Sequence, residues 1–185
     1  MEPYRIAVLV GSLRRESYNR RLALALEKLA GERARFDYLR IDDIPLYNQD
    51  HDADFPAQGA RLKDAIRPAD AVLFVTPEYN RSIPGVLKNA IDTASRPYGD
   101  NAFDGKPAAV IGTSPGAAGT AMAQQHLRNV LVFVNLAVLA QPEAFVHYKE
   151  GLIEADGSVT SDGTRRFLQG YVDRFLAWIQ TQRGH

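Results

Sequence analysis

Three nearly unbroken apolar runs, each closed by a proline or a glycine, restrict this chain more than any other feature. Ile6-Ala7-Val8-Leu9-Val10 ends at Gly11, Ala71-Val72-Leu73-Phe74-Val75-Thr76 stops at Pro77, and Ala108 to Gly112 opens into a loop rich in glycine and alanine. A strand that alternates apolar and polar residues buries one face. A strand apolar at every position is buried on both, which is the habit of parallel sheets covered by helices on both sides.

The segments between these runs read as those helices. Tyr18, Leu22, Leu26 and Leu29 fall on one helical stripe, and Gly31 follows as a stop signal. Phe36 to Ile41 reads as a second strand, more alternating and so nearer a sheet edge, followed by a loop from Asp42 to Pro56. A weaker helix is expected from about Ala57 to Arg67. Pro84-Gly85 opens another, with Val86, Leu87, Ala90, Ile91 and Ala94 on one face; a helix's first turn does not need the N–H that proline lacks. A helix from about Thr120 yields to a strand near Asn135, at a point periodicity leaves open. Asp156-Gly157 marks a turn or small hairpin, and Leu168, Tyr171, Val172, Phe175 and Ile179 line one side of a final helix. About five alternations of strand and helix predict an α/β fold: a doubly wound five-stranded parallel sheet in the order 2-1-3-4-5 with helices on both faces. No repeat or linker interrupts it, so residues 1–185 are expected to form one domain.

Composition narrows the function. Lys plus Arg and Asp plus Glu both number 22, giving a formal net charge of zero, without the basic excess of a nucleic-acid binder. With no cysteine, thiolate catalysis, disulfides and Cys-ligated metal clusters are excluded. The start, Met1 to Arg5, has no signal-peptide core, and the apolar stretch from Val130 to Ala140, broken by Asn135, is shorter than the roughly 20 residues a membrane helix needs. A soluble, cytoplasmic protein is expected.

In such sheets ligands sit beyond the carboxyl ends of the strands where the strand order reverses, here between the first and third. Three loops reach that place. The first, Gly11-Ser12-Leu13-Arg14-Arg15-Glu16-Ser17-Tyr18-Asn19, is neither a dinucleotide fingerprint nor a P-loop. Ser12, Ser17 and Asn19 can donate hydrogen bonds, Arg14 adds charge, and a helix N-terminus lies behind them, a combination suited to a terminal phosphate. The plainer alternative is a Ser17 helix cap beside two solvated arginines. Glu16 fits a phosphate site only if it faces solvent or an arginine.

The second loop, Pro77-Glu78-Tyr79-Asn80-Arg81-Ser82-Ile83-Pro84, is stiffened by its prolines and offers an aromatic and backbone amides to a planar ring, or is an ordinary crossover. The third, Gly112 to Thr120, has almost no bulky side chain, so a flat ligand could lie against its backbone, or it is a tight turn.

In these loops the sequence resembles the NADPH-dependent FMN reductase family of the flavodoxin-like fold, above all its bacterial quinone and chromate reductase branch. The Gly-Ser-Leu-Arg…Ser-x-Asn loop, the Pro-Glu-Tyr-Asn…Pro-Gly-x-Leu-Lys-Asn-Ala-Ile-Asp run from Pro77 to Asp92, and the Thr-Ser…Gly loop carry the likeness, in that order. The resemblance implies bound FMN, its phosphate held by Ser12, Leu13, Arg14, Arg15, Glu16, Ser17, Tyr18 and Asn19. Its ring would be bordered by Pro77, Glu78, Tyr79 and Asn80, and contacted by Ser114. It implies NADPH or NADH as electron donor, a small-molecule acceptor such as a quinone, azo or nitro compound or chromate, and a homodimer or homotetramer.

Flavin chemistry requires no protein nucleophile, so no catalytic residue is nominated. His51, His126, His147 and His185 show no metal-ligand spacing and no triad company, and read as a chance scatter. The competing readings are a flavodoxin-type electron carrier, disfavoured by the zero net charge, and an FMN-binding regulator without NAD(P)H oxidation.

Overall fold

The computed structural model describes residues 2–183; His185 therefore lies outside the described residues. Six strands, β1 (Tyr4–Val10), β2 (Ala34–Tyr38), β3 (Ala71–Val75), β4 (Pro107–Ser114), β5 (Ala137–Val138) and β6 (Phe145–His147), alternate with five helices. The helices are α1 (Tyr18–Ala30), α2 (Ala57–Ile66), α3 (Gly85–Ala94), α4 (Ala121–Phe133) and α5 (Asp162–Arg183). The strands pair in parallel in the order β2-β1-β3-β4-β5, as expected of a flavodoxin-like sheet.

The three apolar runs are the three central strands, and their residues are divided between two cores. Ile6 and Val8 of β1, Leu73 and Val75 of β3, and Ile111 of β4 face Leu22 and Leu26 of α1 and Tyr171 and Phe175 of α5. Ala7 and Leu9, Val72 and Phe74, and Val110 face the other way, onto Leu62 of α2, Leu87 and Ile91 of α3, and Leu127 of α4. Successive side chains of a strand point to opposite faces, so only a strand apolar at every position can serve both layers.

Two departures from expectation concern the sheet margins. The second strand runs from Ala34 to Tyr38, earlier than the Phe36–Ile41 expected, because it pairs with β1 from Tyr4↔Ala34 to Val8↔Tyr38. Ile41 is buried all the same, in the α2–α3 core, as part of the following loop. The far edge is shared by two strands rather than one. β5 pairs with the start of β4 (Pro107↔Ala137), and β6, a sixth strand the sequence had not indicated, pairs with its end (Ser114↔His147). The Asp156-Gly157 turn closes a bridge between Ile153 and Val159, with Gly157 at φ 86.

Candidate functional site

The site is assembled where β1, β3 and β4 end. Gly11 N–H donates to Val75 O at 2.9 Å, and Thr76 N–H to Ile111 O at 3.0 Å, so the strand ends stay in register into their loops. Gly112 permits the closest approach: a Cβ there would stand 2.1 Å from both Thr120 Oγ1 and the Thr76 carbonyl. A bulkier residue would force β4 away from the end of β3 and the N-cap of α4.

In the first loop Ser17 is the N-cap of α1, its Oγ accepting from Arg20 N–H at 3.1 Å. Asn19, also buried, binds β4 reciprocally: Oδ1 accepts from Thr113 N–H at 3.0 Å and Nδ2 donates to Thr113 O at 2.9 Å. Ser17 and Asn19 thus shape the cradle; neither stands free in it. Ser17 N–H closes a turn over residues 15–16, whereas among the described residues the backbone N–H groups of residues 12–16 have no protein acceptor, and they lead into the positive end of α1. Ser12 is half-buried beside them, Leu13 is 56% exposed, and Arg14 and Arg15 are exposed. The Arg14 guanidinium lies 4.9 Å from the centre of the Tyr18 ring, which stacks on Tyr148 at 3.8 Å. Glu16 turns to Arg21 at 2.9 Å, and that contact, with one to the Tyr148 hydroxyl, raises the Arg21 pKa. Beside the loop opens a cavity of about 520 Å³ lined by Ser12, Leu13 and Arg14 and by Arg20 and Arg40, two arginines the sequence reading did not connect with it.

The second loop is a two-residue hairpin. Tyr79 and Ser82 exchange both backbone hydrogen bonds at 3.0 Å, while Asn80 (φ 51) and Arg81 (φ 63) occupy the central positions of a type I′ turn. The turn holds the Tyr79 ring out, 51% exposed. Pro77 is buried, and Glu78 reaches the first turn of α4: its Oε2 accepts from Met122 N–H and Ala123 N–H, each at 3.1 Å. No side chain of α4 caps that end of the helix, so Glu78 supplies both the missing acceptor and a negative charge at the positive helix terminus.

In the third loop the Ser114 hydroxyl donates to Gly119 O and accepts from Gly116 N–H at 3.2 Å, curling the loop on itself. Pro115 to Ala118 lie exposed on its outer side. The structure therefore brings all three expected loops to one end of the sheet, with several of the named side chains acting as struts between them.

One group that the sequence reading set aside acquires a partner. His126, on the second turn of α4, has Nδ1 3.0 Å from Ser82 Oγ at the foot of the hairpin. The two are 44 residues apart, so no local pattern could join them. Among the described residues, no group of three or more His, Cys, Asp or Glu side chains is placed to hold a metal ion, and no helix is long and apolar enough to cross a membrane.

The sequence model of the NADPH-dependent FMN reductases matches residues 4–151. The chain is 50% identical to a 2-hydroxy-1,4-benzoquinone reductase of a Burkholderia species over 179 residues, covering 97% of this chain and 98% of that one. It is likewise 50% identical to a quinone reductase of Pseudomonas putida over 181 residues, 97% of each chain. Among solved structures it superimposes on FerB, a flavoenzyme NAD(P)H:(acceptor) oxidoreductase from Paracoccus denitrificans. The TM-score is 0.94 at 52% identity, with 97% of this chain and 98% of the other covered.

Proposed function

Because this chain belongs to the NADPH-dependent FMN reductase family, we infer from the three loops which residues perform the family's reaction here. It is an FMN-dependent NAD(P)H oxidoreductase that reduces small acceptors.

The observation that carries the assignment is the run of unpartnered N–H groups from Ser12 to Glu16 just before α1, with the Arg14 side chain among them. A phosphate monoester carries up to two negative charges and several acceptor oxygens, which such a cradle satisfies. FMN also brings a flat ring system, and the rigid Pro77–Asn80 segment and the exposed backbone of the third loop offer the edge and face it needs. Ser12, Leu13, Arg14, Arg15, Glu16, Ser17, Tyr18 and Asn19 are accordingly assigned to the phosphate loop, directly or as its frame. Pro77, Glu78, Tyr79, Asn80 and Ser114 are assigned to the ring. FMN held by these residues would supply the redox chemistry between NADPH or NADH and the acceptor. The protein's task is then to hold the phosphate, orient the ring and leave one face open. With the relatives' substrates in view, a benzoquinone-type acceptor is proposed.

The whole chain is taken to act as one domain in the cytoplasm, as a homodimer or homotetramer. Assembly is proposed through α3 and α4, where Val132 and Phe133 are 69% and 74% exposed. Lone exposed apolar residues need no explanation, but two together beside a groove mark a contact surface.

The test is a visible spectrum of the protein with FMN, followed by anaerobic addition of NADPH and then NADH. A perturbed flavin spectrum bleached by either nucleotide is expected. Binding without bleaching would favour a carrier or regulator, and no binding would overturn the assignment of the loops.

A further inference from the structure

The flavin loop and the α3–α4 layer meet at a cavity of about 570 Å³ whose walls include Ser82, Ile83, Lys88, His126, Asn129 and Val130. Ser82 closes the hairpin whose first residue is Tyr79, and it also holds His126. The cavity thus begins where the segment assigned to the ring ends. Its apolar walls, Ile83 and Val130, suit a small aromatic acceptor, and it is open to solvent through the exposed side of α4.

Reducing a quinone to a hydroquinone adds two electrons and two protons. Hydride transfer delivers both electrons and one proton, so one oxygen must receive its proton from another source. Lys88 and His126 are the titratable side chains among the described residues lining this cavity. Lys88 Nζ is paired with both carboxylate oxygens of Asp92 at 2.9 Å, and an ammonium is in general a far weaker acid than an imidazolium. We propose that His126 is a catalytic residue: the proton donor to the reduced quinone, with Ser82 as the residue that positions its ring. The proposal rests on the oxidoreductase reading above and deepens it by assigning the acceptor's site.

The hydrogen bond fits both states of such a donor. In the imidazolium both nitrogens carry hydrogen; Nδ1–H donates to Ser82 Oγ, and Nε2–H is left for the acceptor. The Nε2–H bond breaks as the hydroquinone O–H bond forms. The product imidazole keeps Nδ1–H on the same hydroxyl oxygen, so the ring need not turn, and solvent returns the lost proton.

The test uses the FMN-loaded protein reduced anaerobically with NADPH and reoxidised in a stopped-flow by p-benzoquinone or by ferricyanide, which takes an electron and no proton. His126→Asn keeps a partner for Ser82 but carries no ionisable proton. It should slow reoxidation by benzoquinone about tenfold to a hundredfold, the usual range for loss of a general acid in a partly open site, with the ferricyanide rate preserved. A second readout needs no turnover: in histidine-labelled flavin-free protein, benzohydroquinone should shift the His126 ring resonances. Ser82→Ala should move the His126 nitrogen signals toward the mixture of tautomers found in a free ring. Equal benzoquinone rates in wild type and His126→Asn, a parallel loss with ferricyanide, or His126 resonances indifferent to hydroquinone would each overturn the proposal. If NADPH fails to bleach wild-type flavin, the oxidoreductase reading itself falls, a result separable from all of these.

Discussion

Glu78 offers the sharpest check on how this site is built, because its carboxylate joins the second loop to the first turn of α4, which the chain sequence keeps apart. Its Oε2 accepts the N–H groups of Met122 and Ala123, and nothing in α4 itself replaces it. A hydrogen bond to a charged group contributes about 1.5–3 kcal/mol, and a carboxylate at a helix N-terminus adds about 0.3–1 kcal/mol. Glu78 is only half-buried, so water can reach the freed amides when the side chain is removed, and the two bonds do not count in full. A net loss of about 2 kcal/mol is therefore expected for Glu78→Ala, or a fall in Tm of about 4–8 °C at this chain length. Glu78→Gln keeps an acceptor oxygen and loses the charge, and should cost about half as much. The measurement is thermal unfolding of flavin-free protein followed by circular dichroism, so that cofactor binding does not contribute to the difference. Hydrogen exchange should quicken at the first turn of α4 in the Ala variant. A Tm unchanged in Glu78→Ala, or equal losses in the two variants, would refute the assignment of this carboxylate as a charged cap.

Three further outcomes follow from the same structure. Arg14→Ala should weaken FMN binding about tenfold, or about 1.4 kcal/mol, and leave riboflavin binding unchanged in a fluorescence titration, since riboflavin lacks the phosphate. Equal losses for both ligands would place Arg14 elsewhere. Arg81 holds φ 63 in the I′ turn, so Arg81→Gly, which creates the Asn-Gly pair such turns favour, should stabilise the fold by about 0.5–1 kcal/mol in a urea titration. Asp100, hydrogen-bonded by Lys63 and Arg67, has its pKa lowered from the ordinary 3.8. A carboxylate whose folded pKa is depressed contributes stability above its unfolded pKa and loses it as pH falls through the folded one. The urea midpoint should thus drop as pH falls below about 4, and Asp100→Asn should flatten that drop.

Much of the architecture was legible because burial on two faces leaves a mark on every residue of a strand. Ile6–Val10, Ala71–Val75 and Ala108–Ile111 could not be amphipathic and also fill both cores, so the parallel, doubly covered sheet followed from their composition. Helix ends were legible for a similar local reason: Ser17 caps α1 and Gly31, at φ 56, ends it. The loops expected to form the site were located by topology, because ligands in such sheets gather past the strand ends. Glu16, whose charge was out of place beside a phosphate, turns to Arg21 as that setting required.

The rest depended on partners distant in sequence. β6 is three residues long and becomes a strand only because the end of β4 presents an unpaired edge. Asn19 reads as a donor within its own loop, yet its amide is held by Thr113, 94 residues on. Ser82 and His126 look unremarkable until α4 is laid beside the hairpin, and Glu78 becomes a helix cap only when the third loop returns to it. By itself the sequence determined the three central buried strands and the ends of helices such as α1, since these are matters of neighbouring residues and solvent. Tertiary structure alone decided which polar side chains meet, because a hydrogen bond requires two groups within about 3 Å and sequence spacing sets no such distance across the fold.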